Sequence, residues 1–231
     1  MIAALLNQAV LAEYTVINDP SALRLEMSKS VQYAALAAHN VSTPHSIAAI
    51  GADQIEAVAE AFGEAPFILK PNRGGEGLGV SLIQDMDNLR ARLPQLQSSP
   101  NADDVWLIQE YLPGSDGSIT RMEFIGGKLH YSFRVNTGGA FKLCSAEACA
   151  TGDAPSIFEI IEGFDSPLLS RPEAFLAAND VQIAGIKFTL NQNGQLVVYD
   201  ANTNTNDNHG AEARAGVQAG PVAVAAHLAR V

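Results

Sequence analysis

The residues best equipped to do chemistry in this chain stand close together. Lys70 ends the apolar run Pro66-Phe67-Ile68-Leu69-Lys70-Pro71, and Gly74, Gly75, Gly77 and Gly79 follow within a few residues. A strand that delivers one ammonium group, followed by a loop of unobstructed backbone N–H donors, can wrap a polyphosphate, because glycine lets the main chain approach closely and take positive φ. The order of residues excludes two better-known phosphate loops. A Walker A loop ends in Gly-Lys-Ser/Thr, whereas here the lysine precedes the glycines. The dinucleotide fingerprint opens a helix, whereas Gly75, Gly77 and Gly79 lead back into the β-like run Val80 to Ile83. Strand, lysine, glycine hairpin, strand describes a flap closing over a nucleotide; the alternative is a glycine-rich turn beside an incidental surface lysine.

A second set lies near the C-terminus, in Asp200-Ala201-Asn202-Thr203-Asn204-Thr205-Asn206. If a strand continues through it, period two puts Asp200, Asn202, Asn204 and Asn206 on one face as a column of oxygen donors. Mg²⁺ takes such ligands, usually one or two carboxylates with phosphates and waters. The competing reading is an Asn/Thr-rich loop that satisfies its own backbone. Lys29 adds a directional hint. It falls in the first turn of a helix expected over Ser28 to His39, where a cation opposes the macrodipole unless an anion sits nearby.

These residues need elements to hold them. Residues 2–14 read as a helix with Ile2, Leu5, Leu6 and Ala9 on one side, and Thr15 to Pro20 as a short strand. The Ser28 to His39 helix has an apolar stripe of Val31, Ala34, Ala35 and Ala38. Val41 to Ile50 is extended, Ala52 to Phe62 an amphipathic helix capped by Gly63, and Asp85 to Leu96 a helix strained or ended by Pro94. Val105 to Leu112 is a buried strand stopped by Pro113-Gly114. Beyond it the pattern turns antiparallel. Ser118 to Ile125 and Lys128 to Val135 flank a Gly126-Gly127 turn, and Val181 to Leu190 and Gln195 to Asp200 flank Asn193-Gly194. Ser156 to Asn179 reads as two helical pieces and Ala211 to Arg230 as one closing helix.

Composition narrows the function classes. The chain has 231 residues, 47% of them hydrophobic and 17% charged, with a net charge of −11. That balance argues against non-specific nucleic-acid binding and against anionic membranes, and an anionic ligand would need the few basic residues gathered locally. Two cysteines, Cys144 and Cys149, make no disulfide framework and read as free thiols. The apolar N-terminal run lacks a basic region and is too short to span a bilayer. Together these point to a cytoplasmic protein. The histidines are scattered; His209, following the Asn column, is the one that invites a test. Glu147 and Asp153 are candidates for orienting an amine, with a solvated loop as the alternative.

In order and spacing the motifs resemble the ATP-grasp superfamily of carboxylate-amine ligases, in the branch that includes the glutamate-ligase-like and D-alanine ligase-like proteins. The match comprises Lys29, Lys70, the glycine flap from Gly74 to Gly79, a hinge at Ile108-Gln109-Glu110-Tyr111-Leu112-Pro113-Gly114, the arginines Arg121 and Arg134, and the terminal Asp200-x-Asn202. The resemblance implies an α+β fold of two subdomains, 21–111 and 112–231, with ATP between them. Residues 1–20 would represent the N-terminal domain that relatives carry in full. Lys29 and Lys70 would contact the α- and β-phosphates and the flap would cover the β,γ end. The hinge, with Gln109, Glu110, Tyr111 and Leu112, would read adenine, and Asp116 would reach the ribose. Arg121 or Arg134 would serve the transferred phosphoryl group, and Asp200 and Asn202 would hold Mg²⁺. The implied chemistry is activation of a small-molecule carboxylate as an acyl-phosphate and its capture by an amine. The alternative is a nucleotide-binding module without catalysis. Two departures bear on the choice. Lys187 stands where relatives place another metal-binding acid, and the shortened N-terminal part leaves apolar surface, including Leu5, Leu6 and Val10, that would suit a homodimer.

Overall fold

The computed structural model describes residues 2–75, 77–98, 101–113, 118–136, 158–161, 169–191, 193–205 and 207–231. Two antiparallel sheets carry the site. The first runs in the order β1(Ser46–Ile50), β4(Val105–Glu110), β2(Phe67–Pro71), β3(Ser81–Ile83). Side chains alternate between faces along a strand, and here the alternation separates structure from function. Phe67 and Leu69 of β2 and Trp106 and Ile108 of β4 share a core with α4(Ile55–Phe62) and, through Leu89, α5(Met86–Ser98). Their neighbours Ile68, Lys70, Leu107 and Gln109 take the opposite face, where Lys70 is in register with Leu107 and Ile68 with Gln109.

The second sheet has the order β7(Phe158–Ile161), β6(Lys128–Asn136), β5(Ser118–Ile125), β8(Ile183–Leu190), β9(Leu196–Asn202). One face packs Met122, Phe124, Ile186 and Val198 against α2(Ala22–Met27), α3(Lys29–Ala38) and α6(Ser170–Ala178), which contribute Leu25, Tyr33, Leu36, Phe175 and Leu176. Leu107 joins this core from β4, so the two sheets share packing through α3. The α+β architecture expected from the sequence is the one observed. The chain closes with α7(His209–Ala215) and α8(Gly220–Leu228), while α1(Ile2–Leu11) has no buried residue.

Several local expectations are corrected. Residues 15–20 form no strand; the Asn18 side chain replaces the ladder, donating to the carbonyls of Ile183 (2.8 Å) and Thr203 (2.9 Å) and accepting from the N–H groups of Gln182 (2.7 Å) and Ile183 (2.8 Å). The inward face of α3 is Lys29, Gln32, Tyr33 and Leu36, while Val31, Ala34 and Ala38 are exposed. Polar residues win that face because it meets a strand edge and the candidate site. Gln32 accepts from the Ala201 N–H and donates to the Ala201 carbonyl, pairing the edge strand β9 as another strand would. Helix α5 continues through Pro94 to Ser98. The first piece of the 156–179 stretch is strand β7, which pairs with β6 from Val135↔Phe158 to Ser132↔Ile161. The closing helix is two helices, because Gly216 takes the left-handed conformation that ends α7 and Pro221 starts α8. The oxygen column stops at Asn202 with the strand; Asn204 lies in a bend, and Asn206 falls outside the described residues.

Candidate active site

Three ammonium groups and one carboxylate meet between the two sheets. Lys70 comes from the inner face of β2, Lys29 from the first turn of α3, Lys187 from the middle of β8 and Asp200 from β9, in register with Lys187. Lys29 is ion-paired to Asp200 Oδ1. Lys187 Nζ lies 3.0 Å from Asp200 Oδ2, which also accepts from Asn202 Nδ2 at 3.0 Å. Burial pushes the Asp200 carboxyl up, but Lys29 and Lys187 outweigh it and hold the group well below the usual carboxylate range.

Lys70 is reached through Tyr33. Its Nζ donates to the Tyr33 hydroxyl at 2.7 Å and lies 5.1 Å from the ring centroid. The hydroxyl has one proton to share between Gln109 Oε1 at 2.7 Å and the Tyr199 carbonyl at 2.8 Å. Burial pulls Lys70 down to about 7; Asp200 opposes the shift, and Lys29 and Lys187 reinforce it. Among the described residues this buried ammonium touches a neutral hydroxyl and no carboxylate, and Asp200 acts on it only at a distance.

Asn72, two residues past Lys70, fixes the spacing of the two lysine-bearing elements. Its carbonyl accepts from the Lys29 N–H (3.1 Å), and its side-chain oxygen accepts from the Ser30 N–H (2.9 Å) and the hydroxyls of Ser30 and Ser28. Asn72 Nδ2 in turn donates to Asp103 at 2.7 Å. The α3 N-terminus is therefore capped both by Ser28, whose hydroxyl accepts from the Val31 N–H, and by Asn72 just past the strand that carries Lys70. Immediately beyond, the glycine loop folds onto Pro71. Gly79 has φ +75°, a conformation that favours glycine, and a Cβ there would meet Pro71 Cδ tightly at 3.0 Å.

The arginines separate. Arg121 pairs in register with Phe133 and Lys187, whereas Arg134 pairs with Thr120, one residue out of phase, so the two point to opposite faces of the sheet. Arg121 is buried, with its Nε 2.7 Å from Glu123 Oε1 and its Nη2 donating to the Asn204 carbonyl at 3.0 Å. It occupies the space left by Gly185, where a Cβ would run into the guanidinium. Arg134 is exposed. On the same face as Arg121, Glu212 Oε1 accepts from the Tyr131 hydroxyl (2.8 Å) and the Gly220 N–H (2.9 Å), tying α7, α8 and β6 together.

A family model described as the RimK-like ATP-grasp domain matches residues 27–220. The chain belongs to that family. Among solved structures, the ATP-grasp ligase PsnB complexed with minimal precursor is 21% identical with a TM-score of 0.69, covering 99% of this chain and 69% of its own. A RimK domain ATP-grasp protein from Sphaerobacter thermophilus is 19% identical (TM-score 0.68; 96% and 74% covered), and the D-cycloserine synthetase DcsG 16% identical (0.72; 99% and 77%). At these identities the likeness is one of fold. The chain spans 64% of the length of PsnB in its complex with a phosphomimetic variant of the precursor, Mg and ADP. No curated protein matches the sequence.

Within this ATP-grasp domain the structure brings together Lys29, Lys70, Asp200 and Asn202, with Gln109 linked through Tyr33 and Arg121 two strands from Asp200, and leaves Arg134 on the far face. Gly74, Gly75, Gly77 and Gly79 lie in the loop between β2 and β3, and Glu110 ends β4 with its N–H donated to the His45 carbonyl at 2.8 Å. Tyr111 and Leu112 follow outside the strand. Asp116, Cys144, Glu147, Cys149 and Asp153 fall outside the described residues, and His209 is exposed at the start of α7. The donor set fits a single divalent ion, with one carboxylate at Asp200 and one amide oxygen at Asn202. A pair of ions would need another acid, and among the described residues no three His, Cys, Asp or Glu side chains form a metal-sized group. Sequence reading missed Tyr33, Gln32, Asn72 and Gly185. The Ser-Lys-Ser at the start of α3 was a usable capping signal; the others depend on long-range pairing that no local pattern announces.

Proposed function

We propose that this chain is an ATP-dependent ligase that phosphorylates a substrate carboxylate and joins the resulting acyl group to an amine, on an amino acid or peptide. The observation that carries this reading is the pairing of Lys29 and Lys187 with Asp200, with the buried Lys70 in the same field and the glycine loop following it. It is an excess of buried positive charge in a strongly acidic chain, the electrostatic form of a polyphosphate site. In the proposed reaction a carboxylate oxygen attacks the γ-phosphorus and ADP leaves. The amine then attacks the acyl carbon, inorganic phosphate leaves, and the amine gives up a proton.

The protein's part is positioning and charge stabilisation. Lys29 and Lys70 hold the α- and β-phosphates, the backbone N–H groups of the glycine loop cover the β,γ end, and the hinge at Gln109 to Leu112 receives adenine. Arg121, braced by Glu123 and the Asn204 carbonyl, faces the charge that develops on the transferred group. Asp200 and Asn202 are the residues that would hold Mg²⁺, which when bound neutralises phosphate charge. An ATP-dependent reaction of this kind belongs in the cytoplasm, and no helix among the described residues is long and apolar enough to cross a membrane.

The test uses a pool of ¹⁸O-carboxylate-labelled amino acids and short peptides. Release of ADP that depends on the pool, with ¹⁸O carried into inorganic phosphate, is the expected result. A second reading, a nucleotide-binding module without catalysis, is favoured by the occupation of both Asp200 oxygens by lysines. It predicts nucleotide binding with no carboxylate-dependent ADP release.

A further inference from the structure

We infer that Lys187 is a built-in counter-cation of the phosphate site, its ammonium filling at Asp200 the seat of a divalent ion, so that the nucleotide complex of this chain takes up at most one metal. The inference rests on the proposed nucleotide site and says how that site is charged. Three features support it.

The position of Lys187 is fixed by the sheet. It lies on β8 directly opposite Asp200, and its side chain is 23% exposed. A lysine reaching out from a loop would be a mobile counter-ion, whereas one anchored in mid-strand opposite its partner stands at a set distance, 3.0 Å from Oδ2. Next, the carboxylate has little left to offer. Oδ1 holds Lys29 and Oδ2 holds both Lys187 and the Asn202 amide, so a divalent ion at Asp200 must displace one of these donors. Displacing the Asn202 N–H by rotating its amide turns the amide oxygen toward the site and creates one cation position. Displacing Lys187 would push a strand-anchored ammonium toward Arg121, its register partner on β5. Lys29 can turn to the nucleotide phosphates and free Oδ1 for that same single ion, so the exchange the site resists is the loss of Lys187.

The third feature is the charge balance. Lys29 and Lys187 hold the single carboxylate and Lys70 lies within its field, a local excess of cations before any metal enters. An ADP or ATP polyphosphate meets that excess directly. Adding two divalent ions as well would over-neutralise it and set ion against ammonium at short range.

The experiment counts metals. Mn²⁺ is titrated into the whole chain saturated with ADP, and bound Mn²⁺ is read by electron paramagnetic resonance, with ADP affinity measured in parallel by calorimetry. The expected result is one Mn²⁺ or none per ADP complex in the unaltered chain, and one additional Mn²⁺ in Lys187→Asp. Two Mn²⁺ in the unaltered chain, or no gain in the Asp variant, overturns the inference while leaving the nucleotide site standing. Should the Asp variant not fold, Lys187→Met decides. Weakening of ADP binding by tenfold or more in metal-free buffer supports the counter-cation, and unchanged affinity refutes it. Absence of ADP binding by the unaltered chain under all conditions overturns the proposed function along with this inference.

Discussion

Lys70 gives nucleotide binding a pH dependence whose size follows from its surroundings. The side chain is buried, and burial pulls its ammonium down to about 7, with Lys29 and Lys187 reinforcing the shift and Asp200 opposing it. A bound polyphosphate supplies the missing anion, so the complex holds Lys70 protonated and binding above neutrality takes up a proton. From a free-protein value of 7, about one molecule in ten carries the charge at pH 8 and about one in a hundred at pH 9, so affinity falls roughly tenfold per pH unit there. Phosphate monoesters complete their second ionisation near pH 6, so the nucleotide's own titration contributes little in this window. Calorimetry of ADP binding at pH 8, in two buffers of different ionisation enthalpy, should show uptake of about 0.9 proton per nucleotide. Lys70→Arg keeps its charge throughout and should show no uptake. Affinity flat from pH 7.5 to 9, with no proton uptake, would refute the placement of Lys70 against phosphate. The same shift acts on folding with a definite sign. The unfolded chain holds this proton more tightly than the folded one, so the contribution of Lys70 to the stability of the free protein rises with pH. The rise runs from about 7 to the ordinary value of 10.5, with a slope of at most about 1.4 kcal/mol per pH unit.

Other expectations concern the frame. Gln32→Ala strips the partner from both main-chain groups of Ala201, one of them a buried N–H, and should cost about 2–4 kcal/mol in a denaturant titration. A loss within error would mean that water or a neighbour takes over the edge of β9. Gly185→Ala should expel Arg121 from its seat, weakening ATP more than ADP, since the guanidinium is assigned to the terminal phosphoryl group. Equal weakening of both nucleotides would remove Arg121 from that role. Removing residues 1–11 should change stability by less than about 1 kcal/mol in a thermal melt, because α1 buries no side chain. A larger fall would show that α1 is covered in solution.

The sequence was legible where chemistry and local pattern coincide. Lys70 before its glycines, Lys29 in a first helical turn and Asp200-x-Asn202 at a strand end are each odd enough locally to demand a ligand, and the structure gathers them. Reading failed where a polar residue takes a position that periodicity assigns to apolar ones. The stripe of Val31, Ala34 and Ala38 is a correct helical pattern, yet α3 turns Gln32 and Tyr33 inward, because a strand edge and a buried ammonium need hydrogen bonds more than the core needs three small side chains. Similarly, Asn18 holds its segment with a side chain where a strand had been expected. The 158–161 run is too short for its periodicity to separate helix from strand, and the unpaired edge of β6 decides it. Gly185 carries no local signal at all, since its reason is the guanidinium of Arg121 on the neighbouring strand.

The central claim, that a nucleotide polyphosphate seats among Lys29, Lys70 and Lys187, is tested most directly by a crystal structure of the whole chain with ADP. The account predicts that Lys70 leaves Tyr33 for a phosphate oxygen about 3 Å away. It also predicts that Lys29 leaves Asp200 for the diphosphate while Lys187 stays on Asp200 Oδ2, with adenine against the segment from Gln109 to Leu112. A diphosphate bound elsewhere, or a saturated complex in which Lys70 keeps Tyr33 and both lysines keep Asp200, would contradict it.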